Sequence, residues 1–309
     1  MKRVAVTCTH LIRDIEDYRQ TFADAGLDVF LPEIPGQELR GTELVTAMDG
    51  IVGVVAGDDH FTSEVLAQLP DLRAISKWGI GLDAIDLEDA AERGIAVTNT
   101  PGMFGNEVAE LGLAYLFALV RDIFAIDNTV RSGGWAKQTS RSMNALTVNV
   151  IGLGDIGRSL AEKLLALGVS VTGSDPSPES AAWAERTGVL IGDAATLAAD
   201  ADAVMICAPL NDGTRGLVDA DFIGGMKQGS WLINIGRGPI VIGSAVADAI
   251  DSGHLAGAAL DVFEVEPLQD ERLRQLPNLI LGAHNGSNTF EACHRTHVRA
   301  ISNLIDNLG

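Results

Sequence analysis

The stretch VIGLGDIG, residues 150–157, decides the fold of the second half of the chain. It lies between an apolar run that predicts a strand and an amphipathic pattern that predicts a helix. Gly152 allows a tight turn, Gly154 lets the backbone approach a pyrophosphate, and Gly157 lets the helix pack closely on the strand. The stretch therefore predicts a dinucleotide site with the pyrophosphate at the positive end of the helix.

A carboxylate follows the next predicted strand. Asp175 ends the run VSVTGSD, near the offset at which an acidic side chain accepts hydrogen bonds from ribose hydroxyls. A carboxylate there repels a 2′-phosphate, and no arginine follows in PSPES. The sequence predicts NAD rather than NADP. The alternative is that Asp175 is a solvated aspartate at a turn.

Strand and helix patterns alternate along the whole chain. Runs that are apolar on both faces, such as IVGVV and DAVMICA, indicate buried parallel strands covered by helices. With 309 residues, the chain is long enough for two domains. The sequence therefore predicts an α/β protein with a Rossmann-type doubly wound parallel sheet. One long helix is predicted from Glu107 through Val130, where apolar residues recur every three or four positions.

Composition restricts the partners and the compartment. The net charge of −20 disfavours nucleic acid and membrane surfaces as partners. The three cysteines lie far apart without a CxxC spacing, which favours buried thiols in a reducing, cytoplasmic compartment. No metal site is predicted. The start, MKRVAVTCTH, indicates a first strand rather than a signal peptide, and the longest apolar stretch, residues 111–120, is too short to span a bilayer.

A cation ends one of the buried strands. In WLINIGRGPIV, residues 231–241, Arg237 lies between two glycines at the end of an apolar run. Burying a guanidinium without a partner is costly, so the partner is either a ligand or a structural carboxylate.

These motifs, with KWGIGLDAID, AGAALDVFEVEPL and AHNGSNT, resemble the D-isomer-specific 2-hydroxyacid dehydrogenase family, which includes phosphoglycerate, glyoxylate/hydroxypyruvate and D-lactate dehydrogenases. The resemblance runs from about Arg73 to Asn307. It implies an NAD-binding Rossmann domain over residues 99–285 and a flavodoxin-like substrate domain from residues 1–98 and 286–309. It also implies hydride transfer between nicotinamide C4 and C2 of a 2-hydroxy or 2-keto acid.

Three residues match the catalytic set of that family. Arg237 would grip the substrate carboxylate and the adjacent oxygen. His284 would be the acid/base, since an imidazole with an ordinary pKa of about 6.5 can serve both directions. Glu266 would orient the histidine and stabilise its charged form. Glu264, the competing glutamate, is expected to be a solvated neighbour.

The resemblance also assigns substrate contacts. The amides of Ile80 and Gly81 would bind the substrate carboxylate. Lys77 either adds positive charge near this loop or is an exposed lysine. Phe104 stands where asparagine is frequent in the family and would narrow the pocket. This departure and three others leave the substrate side chain open; the three are Ala84, Glu107 and Ala283.

The cofactor contacts that the resemblance implies follow the ends of predicted strands. They are Gly152, Gly154, Asp155, Ile156, Gly157, Asp175, Ala208, Pro209, Thr214, Ile235, Asp261 and Gly286. Among them, Asp261 would contact the nicotinamide carboxamide. Trp135 matches a tryptophan on an arm that packs against a second subunit, so a homodimer is implied.

Two alternative functions stay open. A phosphoglycerate dehydrogenase of serine biosynthesis is disfavoured by Asp58 and Asp59, which would repel a phosphate, although Lys77 remains near. A non-catalytic NAD-sensing protein that resembles the C-terminal binding corepressors would share the fold and the catalytic set, so those residues alone do not separate sensor from enzyme.

Overall fold

A computed structural model describes residues 1–135 and 137–309, and these form two compact units. Unit 1 consists of Met1–Met103 and Asn288–Gly309, and unit 2 of Phe104–Ser287. Within the described ranges both units have parallel sheets whose strands alternate with helices. The predicted α/β class is confirmed.

Unit 1 has a five-stranded parallel sheet. Its strands are Lys2–Val6 (β1), Leu27–Phe30 (β2), Gly53–Ala56 (β3), Ala74–Lys77 (β4) and Ala96–Thr98 (β5). Its helices are Thr9–Arg13 (α1), Arg19–Asp24 (α2), Gly41–Ala47 (α3), Ser63–Leu66 (α4), Leu87–Glu92 (α5) and the C-terminal Phe290–Leu308 (α14). The strand order β2-β1-β3-β4-β5 is the flavodoxin-like order that the resemblance implies.

The C-terminal helix completes the core of unit 1. Ser76, on β4, donates a 2.8 Å hydrogen bond from its hydroxyl to the carbonyl of Ala300. A Cβ added to Gly53 on β3 would lie 2.8 Å from Leu308 Cδ1, so the helix approaches the strand where a side chain is missing. The end of the chain is therefore a structural part of the unit formed by its beginning.

A buried histidine joins α14 to the segment that follows β4. The indole Nε1 of Trp78 donates to His297 Nδ1 at 2.8 Å, and His297 Nε2 lies 3.2 Å from Asp14 Oδ2. Because an indole nitrogen can only donate, Nδ1 must accept, and the imidazole is neutral with its proton on Nε2. Burial lowers the pKa of His297, and this outweighs the Asp14 carboxylate, which acts in the opposite direction.

Acid should destabilise the protein through His297. In the unfolded chain the imidazole takes a proton as the pH falls through about 6.5, whereas the folded state resists protonation, so the free energy of unfolding decreases below that pH. Urea denaturation at about pH 7.5 and about pH 5.5 measures the loss. His297→Gln should reduce this difference, and His60→Gln, at a partly exposed site of the same unit, should retain it. An unchanged difference in His297→Gln would contradict the assignment.

Unit 2 has a seven-stranded parallel sheet. Its strands are Thr147–Ile151 (β6), Ser170–Ser174 (β7), Leu190–Ile191 (β8), Ala203–Ile206 (β9), Ser230–Asn234 (β10), Leu255–Leu260 (β11) and Leu279–Leu281 (β12). Its helices are Gly105–Val120 (α6), Ile123–Arg131 (α7), Asp155–Ala166 (α8), Pro178–Thr187 (α9), Ala194–Ala198 (α10), Ala220–Gly225 (α11), Gly243–Asp251 (α12) and Glu271–Gln275 (α13). The order β12-β11-β10-β9-β6-β7-β8 reverses direction at β6, as in a Rossmann sheet.

The prediction of one helix from Glu107 through Val130 is wrong, because the chain forms α6 and α7 there. Asp122 adopts a left-handed φ of 50°, which interrupts the helical hydrogen bonds between them. The apolar spacing continues through the break, so periodicity does not reveal one left-handed residue. The helix α6 packs on α8, whereas α7 has no buried residue.

The described residues contain neither a helix long and apolar enough to cross a membrane nor a cluster of three or more His, Cys, Asp or Glu side chains that could hold a metal ion. The three cysteines are free thiols; Cys8 and Cys293 are buried and Cys207 is partly buried.

Candidate active site

The glycine turn after β6 has the three properties that its sequence predicts. Gly152 has a φ of 92°, and a Cβ there would lie 2.6 Å from the backbone of Ala208. A Cβ on Gly157 would lie 1.9 Å from the carbonyl oxygen of Gly152. Around Gly154 no atom lies within 4 Å of the corresponding position, so its backbone is open to a ligand. The helix α8 starts next to it, at Asp155.

Asp175 lies directly beside this turn. One carboxylate oxygen accepts a 2.7 Å hydrogen bond from the amide of Leu153, within the turn, and the other accepts a 2.8 Å bond from the amide of Ser177. The carboxylate is thus held by backbone donors at the end of β7. An open backbone at a helix N-terminus with a fixed carboxylate next to it fits the pyrophosphate and ribose of a dinucleotide.

The other predicted cofactor residues of unit 2 flank this turn. Ala208 and Pro209 follow β9, which pairs with β6. Thr214 fastens their loop: its hydroxyl donates to the carbonyl of Pro209 at 2.7 Å and accepts from the amide of Asn211 at 2.9 Å. Ile235, at the end of β10, is buried. Ile156 is half-buried on the first turn of α8.

Asp261 forms a buried hub at the end of β11. One carboxylate oxygen accepts from the Tyr115 hydroxyl at 2.9 Å and the other from the Gly286 amide at 3.0 Å. Its carbonyl accepts from the amide of His284 at 2.7 Å. Burial raises the pKa of Tyr115 and the Asp261 carboxylate raises it further, so the hydroxyl stays a donor. The hub therefore fixes the loop that carries His284.

The structure brings Glu266 and His284 together. Nδ1 of His284 lies 2.8 Å from Glu266 Oε2, and because an ionised carboxylate can only accept, Nδ1 carries the proton and donates it. The second oxygen, Oε1, accepts from the amide of Phe263 at 2.9 Å. His284 has a left-handed φ of 53°, a conformation that non-glycine residues rarely adopt and that often marks functional positions.

Arg237 lies on the loop after β10, the strand next to β11. Its Nη1 donates to the carbonyl of Gly236 at 2.9 Å, and its own carbonyl accepts from the Asn234 side chain at 3.0 Å. A Cβ added to Gly238 would lie 1.8 Å from the Phe263 carbonyl oxygen. The turn at Arg237 therefore packs directly on the segment that leads to Glu266.

The three predicted catalytic residues follow three neighbouring strands of one sheet. Arg237 follows β10, Glu266 follows β11 and His284 follows β12. Because these strands are parallel, their carboxyl ends lie at the same edge of the sheet. The β6–α8 turn lies at that edge too, where α/β sheets bind their ligands.

Unit 1 carries three of the predicted substrate residues, Lys77, Ile80 and Gly81. Gly79 has a φ of 132°; its amide donates to the Thr100 hydroxyl at 3.0 Å, and the Ile80 carbonyl accepts from Asn99 at 2.7 Å. The loop that contains Ile80 and Gly81 is therefore tied to the segment after β5.

The structure excludes one of the two alternatives for Lys77 and corrects the expectation for Glu264. Lys77 is not an exposed lysine: its side chain is 7% exposed, and its ammonium lies 2.7 Å from Asp58 Oδ1. Glu264 is exposed but is more than a solvated neighbour. It accepts a 2.8 Å hydrogen bond from the amide of Gly243, the first residue of α12, where a carboxylate is favoured by the helix dipole.

Two further predicted residues lie apart from the strand ends. Phe104 is buried at the start of α6 and belongs to unit 2. Trp135 is 80% exposed and follows α7.

The sequence patterns do not reveal the roles of Tyr115 and Gly238. Tyr115 lies within the predicted helix from Glu107 through Val130; the available signal is that the hydroxyl of a buried tyrosine needs a hydrogen-bond partner. Gly238 is one of the two glycines that flank Arg237 in the sequence. Its contact with Phe263 joins residues far apart in the chain, so no local pattern marks it.

The glycine turn and the adjacent carboxylate at the edge of a Rossmann sheet, with a histidine–glutamate pair at the same edge, are the features of an NAD-binding oxidoreductase. Residues 113–286 match the family described as D-isomer specific 2-hydroxyacid dehydrogenase, NAD binding domain. The chain belongs to this family, its cofactor is NAD, and it acts on CH–OH donors.

Named relatives agree with this assignment. A hydroxypyruvate reductase of Thermotoga maritima is 32% identical over 284 residues, which cover 90% of this chain and 91% of the relative. An (S)-sulfolactate dehydrogenase of Chromohalobacter salexigens is 39% identical over 263 residues, covering 83% of this chain and 84% of the relative. The solved TT0316 protein of Thermus thermophilus aligns with a TM-score of 0.84 at 31% identity, over 99% of this chain and 96% of the other.

Two glycines of the turn allow the close packing of α8 and the approach of the cofactor to be tested separately. Gly157→Ala forces a methyl group into the backbone of Gly152 and should lower the free energy of unfolding by about 2 kcal/mol. Gly154→Ala meets no protein atom, so stability should change by less than about 0.5 kcal/mol. Its methyl group would occupy the space of the pyrophosphate, so NADH affinity should fall about tenfold.

Urea denaturation and an NADH fluorescence titration measure the two quantities for both variants. Wild-type NADH affinity in Gly154→Ala would contradict the predicted position of the pyrophosphate. Wild-type stability in Gly157→Ala would contradict the close packing of α8 on the turn.

Proposed function

We propose that the protein is an NAD-dependent D-2-hydroxyacid dehydrogenase that reduces small 2-keto acids. The observation that supports this best is the 2.8 Å contact between His284 Nδ1 and Glu266 Oε2 at the ligand-binding edge of the sheet. An imidazole held by a carboxylate through one nitrogen can donate and accept a proton through the other. Interconversion of a carbonyl and an alcohol needs this proton transfer.

The proposed mechanism divides the chemistry between the catalytic residues and the cofactor. When bound, NADH supplies the hydride that C2 of the keto acid receives. His284 donates a proton to the C2 oxygen as negative charge develops there. Glu266 fixes the orientation of the ring and stabilises its charged form, because the carboxylate accepts the Nδ1 proton. In the oxidation direction the neutral imidazole takes the proton back.

The remaining proposed residues position the substrate. Arg237 presents a planar guanidinium that can bind a carboxylate and the neighbouring oxygen together, which fixes C2 for hydride transfer. The amides of Ile80 and Gly81 bind the carboxylate of the substrate. Phe104 limits the size of the group attached to C2.

The substrate class rests on the relatives as well as on the site. Hydroxypyruvate reductase and (S)-sulfolactate dehydrogenase are named for small acids whose second carbon carries a keto or hydroxyl group. Residues that grip one carboxylate and protonate the neighbouring oxygen suit this class. We therefore propose that the substrate is a short 2-keto acid or the corresponding D-2-hydroxy acid.

Loss of NADH absorbance with glyoxylate, hydroxypyruvate and pyruvate tests the proposal. The wild-type protein should reduce at least one of them, and His284→Asn should lower kcat by about 10³-fold because proton donation is lost. Glu266→Gln should lower kcat by about 10²-fold, since the amide cannot stabilise the charged ring.

Glu264→Gln is the matched control, since it makes the same chemical change two residues away on a side chain that contacts α12. Its kcat should stay within about twofold of the wild type. Tight binding of NADH without reduction of any keto acid would overturn the proposal and favour an NAD sensor.

We also propose that the protein is a homodimer. Four apolar side chains between residues 123 and 135 are exposed: Ile123, Phe124, Val130 and Trp135. Because α7 buries none of its residues within its own chain, a second copy is a suitable partner for this surface. Aromatic side chains such as Trp135 commonly contribute much of the energy of an interface.

Trp135→Ser should weaken the dimer by about 2 kcal/mol, or roughly thirtyfold in Kd, because the indole would leave its interface. Light scattering coupled to size exclusion over a dilution series measures the change. Phe290→Ser removes an aromatic side chain that is 91% exposed in unit 1 and should leave the mass unchanged. A monomeric wild-type protein, or an unaffected Trp135→Ser, would contradict the proposal.

The thiols support a cytoplasmic location, which we include in the proposal. All three cysteines of the chain are free, and free thiols persist in reducing compartments.

A further inference from the structure

An ion pair between a buried lysine and an exposed aspartate lies at the carboxyl edge of the unit 1 sheet. Lys77 ends β4, and its ammonium donates to Asp58 Oδ1 at 2.7 Å and to the carbonyl of Gly57. The lysine side chain is 7% exposed and the aspartate side chain is 62% exposed. The carboxylate is thus the accessible member of the pair.

The pair adjoins the loop proposed to bind the substrate carboxylate. A Cβ added to Gly79 would lie 3.7 Å from Lys77 Nζ, so the ammonium lies against the backbone of that loop. Ala56, two residues before Asp58, pairs with Lys77 in the sheet, which places both charged residues at the same edge. The electric field of the pair therefore acts on any group held at this loop.

Asp59 plays a different part from Asp58, although the sequence presents them as two equivalent carboxylates. It is 1% exposed and accepts hydrogen bonds from the amides of Leu39 at 2.8 Å and Gly57 at 3.1 Å, and from the hydroxyl of Thr7. Burial raises the pKa of Asp59. Asp59 therefore holds the β1 and β3 loops together inside unit 1, and Asp58 supplies the charge at the surface.

We propose that Asp58 is a specificity-determining residue that excludes substrates with a second anionic group. It compensates the charge of Lys77, which would otherwise attract a phosphate, sulfonate or second carboxylate, and its carboxylate is the more exposed member of the pair, so an incoming anion meets the negative end first. The preferred substrates are 2-keto acids whose third carbon is absent or bears an uncharged group, such as glyoxylate, pyruvate and hydroxypyruvate. This inference rests on the proposed function and narrows its substrate class.

The inference predicts a substrate preference that differs from the one for which a relative is named. The relative at 39% identity is named for sulfolactate, which carries a sulfonate besides its carboxylate. If Asp58 selects by charge, this chain reduces hydroxypyruvate better than sulfopyruvate or oxaloacetate.

The test is whether removal of the Asp58 charge changes the preference between monoanionic and dianionic substrates. The kcat/KM values for hydroxypyruvate, sulfopyruvate and oxaloacetate are measured with NADH at low salt for the wild type and for Asp58→Asn. The wild type should favour hydroxypyruvate. Asp58→Asn removes the ion-pair partner of Lys77 and should raise the ratio of dianionic to monoanionic kcat/KM by about tenfold or more, an effect that added salt should reduce.

Two further variants show whether Lys77 carries the effect. Asp58→Asn combined with Lys77→Met should lose the gain, since the cation that attracts the second anionic group is removed as well. Asp71→Asn makes the same change of net charge before β4, at the opposite end of the strand, and should leave the ratio unchanged. If Asp58→Asn does not fold, as judged by circular dichroism, Asp58→Ser replaces it.

The outcomes distinguish a failure of the charge-selection inference from a failure of the proposed function. A wild-type protein that prefers sulfopyruvate or oxaloacetate overturns the charge-selection inference without any variant, and so does an unchanged ratio in Asp58→Asn. A wild-type protein that binds NADH but reduces none of the three acids refutes the proposed function itself.

Discussion

The arrangement of the candidate catalytic residues depends on one backbone contact that a side chain would prevent. Gly238 packs against the carbonyl of Phe263, where a Cβ would lie 1.8 Å from the oxygen. The turn that begins at Arg237 is thereby held on the segment that carries Glu266, and Glu266 holds His284. Rigid backbone at the ends of neighbouring strands thus fixes a cation, a carboxylate and an imidazole, which is how a site keeps its geometry before a ligand arrives.

A second constraint on His284 is a set of hydrogen bonds to the buried Asp261. The buried Asp261 accepts hydrogen bonds from Tyr115 and from the amide of Gly286, and its carbonyl binds the amide of His284. The left-handed backbone of His284 is therefore supported on both sides by contacts to one residue. Strain of this kind persists only where the surroundings determine the conformation fully. Helix α6 thus helps to hold the loop that carries His284, because Tyr115 binds Asp261, although this loop lies more than a hundred residues further along the chain.

Features that are encoded in a local pattern or a fixed residue spacing could be predicted from the sequence. Alternating apolar runs indicated the parallel sheets, and the three glycines with Asp175 indicated the dinucleotide turn. The resemblance pointed to Arg237, Glu266 and His284, of which the last two are in contact. Features that depend on distant partners were not predictable: the pairing of Lys77 with Asp58, the hydroxyl of Tyr115 on Asp261, and the break at Asp122. Each arises from a side chain or one backbone angle whose environment exists only in the folded chain.

The discontinuity of unit 1 has a consequence for biosynthesis. Strands β3 and β4 precede unit 2 in the chain, but the helix that covers them, α14, is made only after all of unit 2. Until then Gly53 lacks Leu308, Ser76 lacks the carbonyl of Ala300, and Trp78 lacks His297. Unit 2 is a single uninterrupted segment and can fold during translation. Unit 1 cannot complete its core until α14 has been synthesised, and its apolar strands stay uncovered until then. The nascent chain is therefore most exposed to misassociation, and most suited to chaperone binding, in the segment that carries β1 to β5.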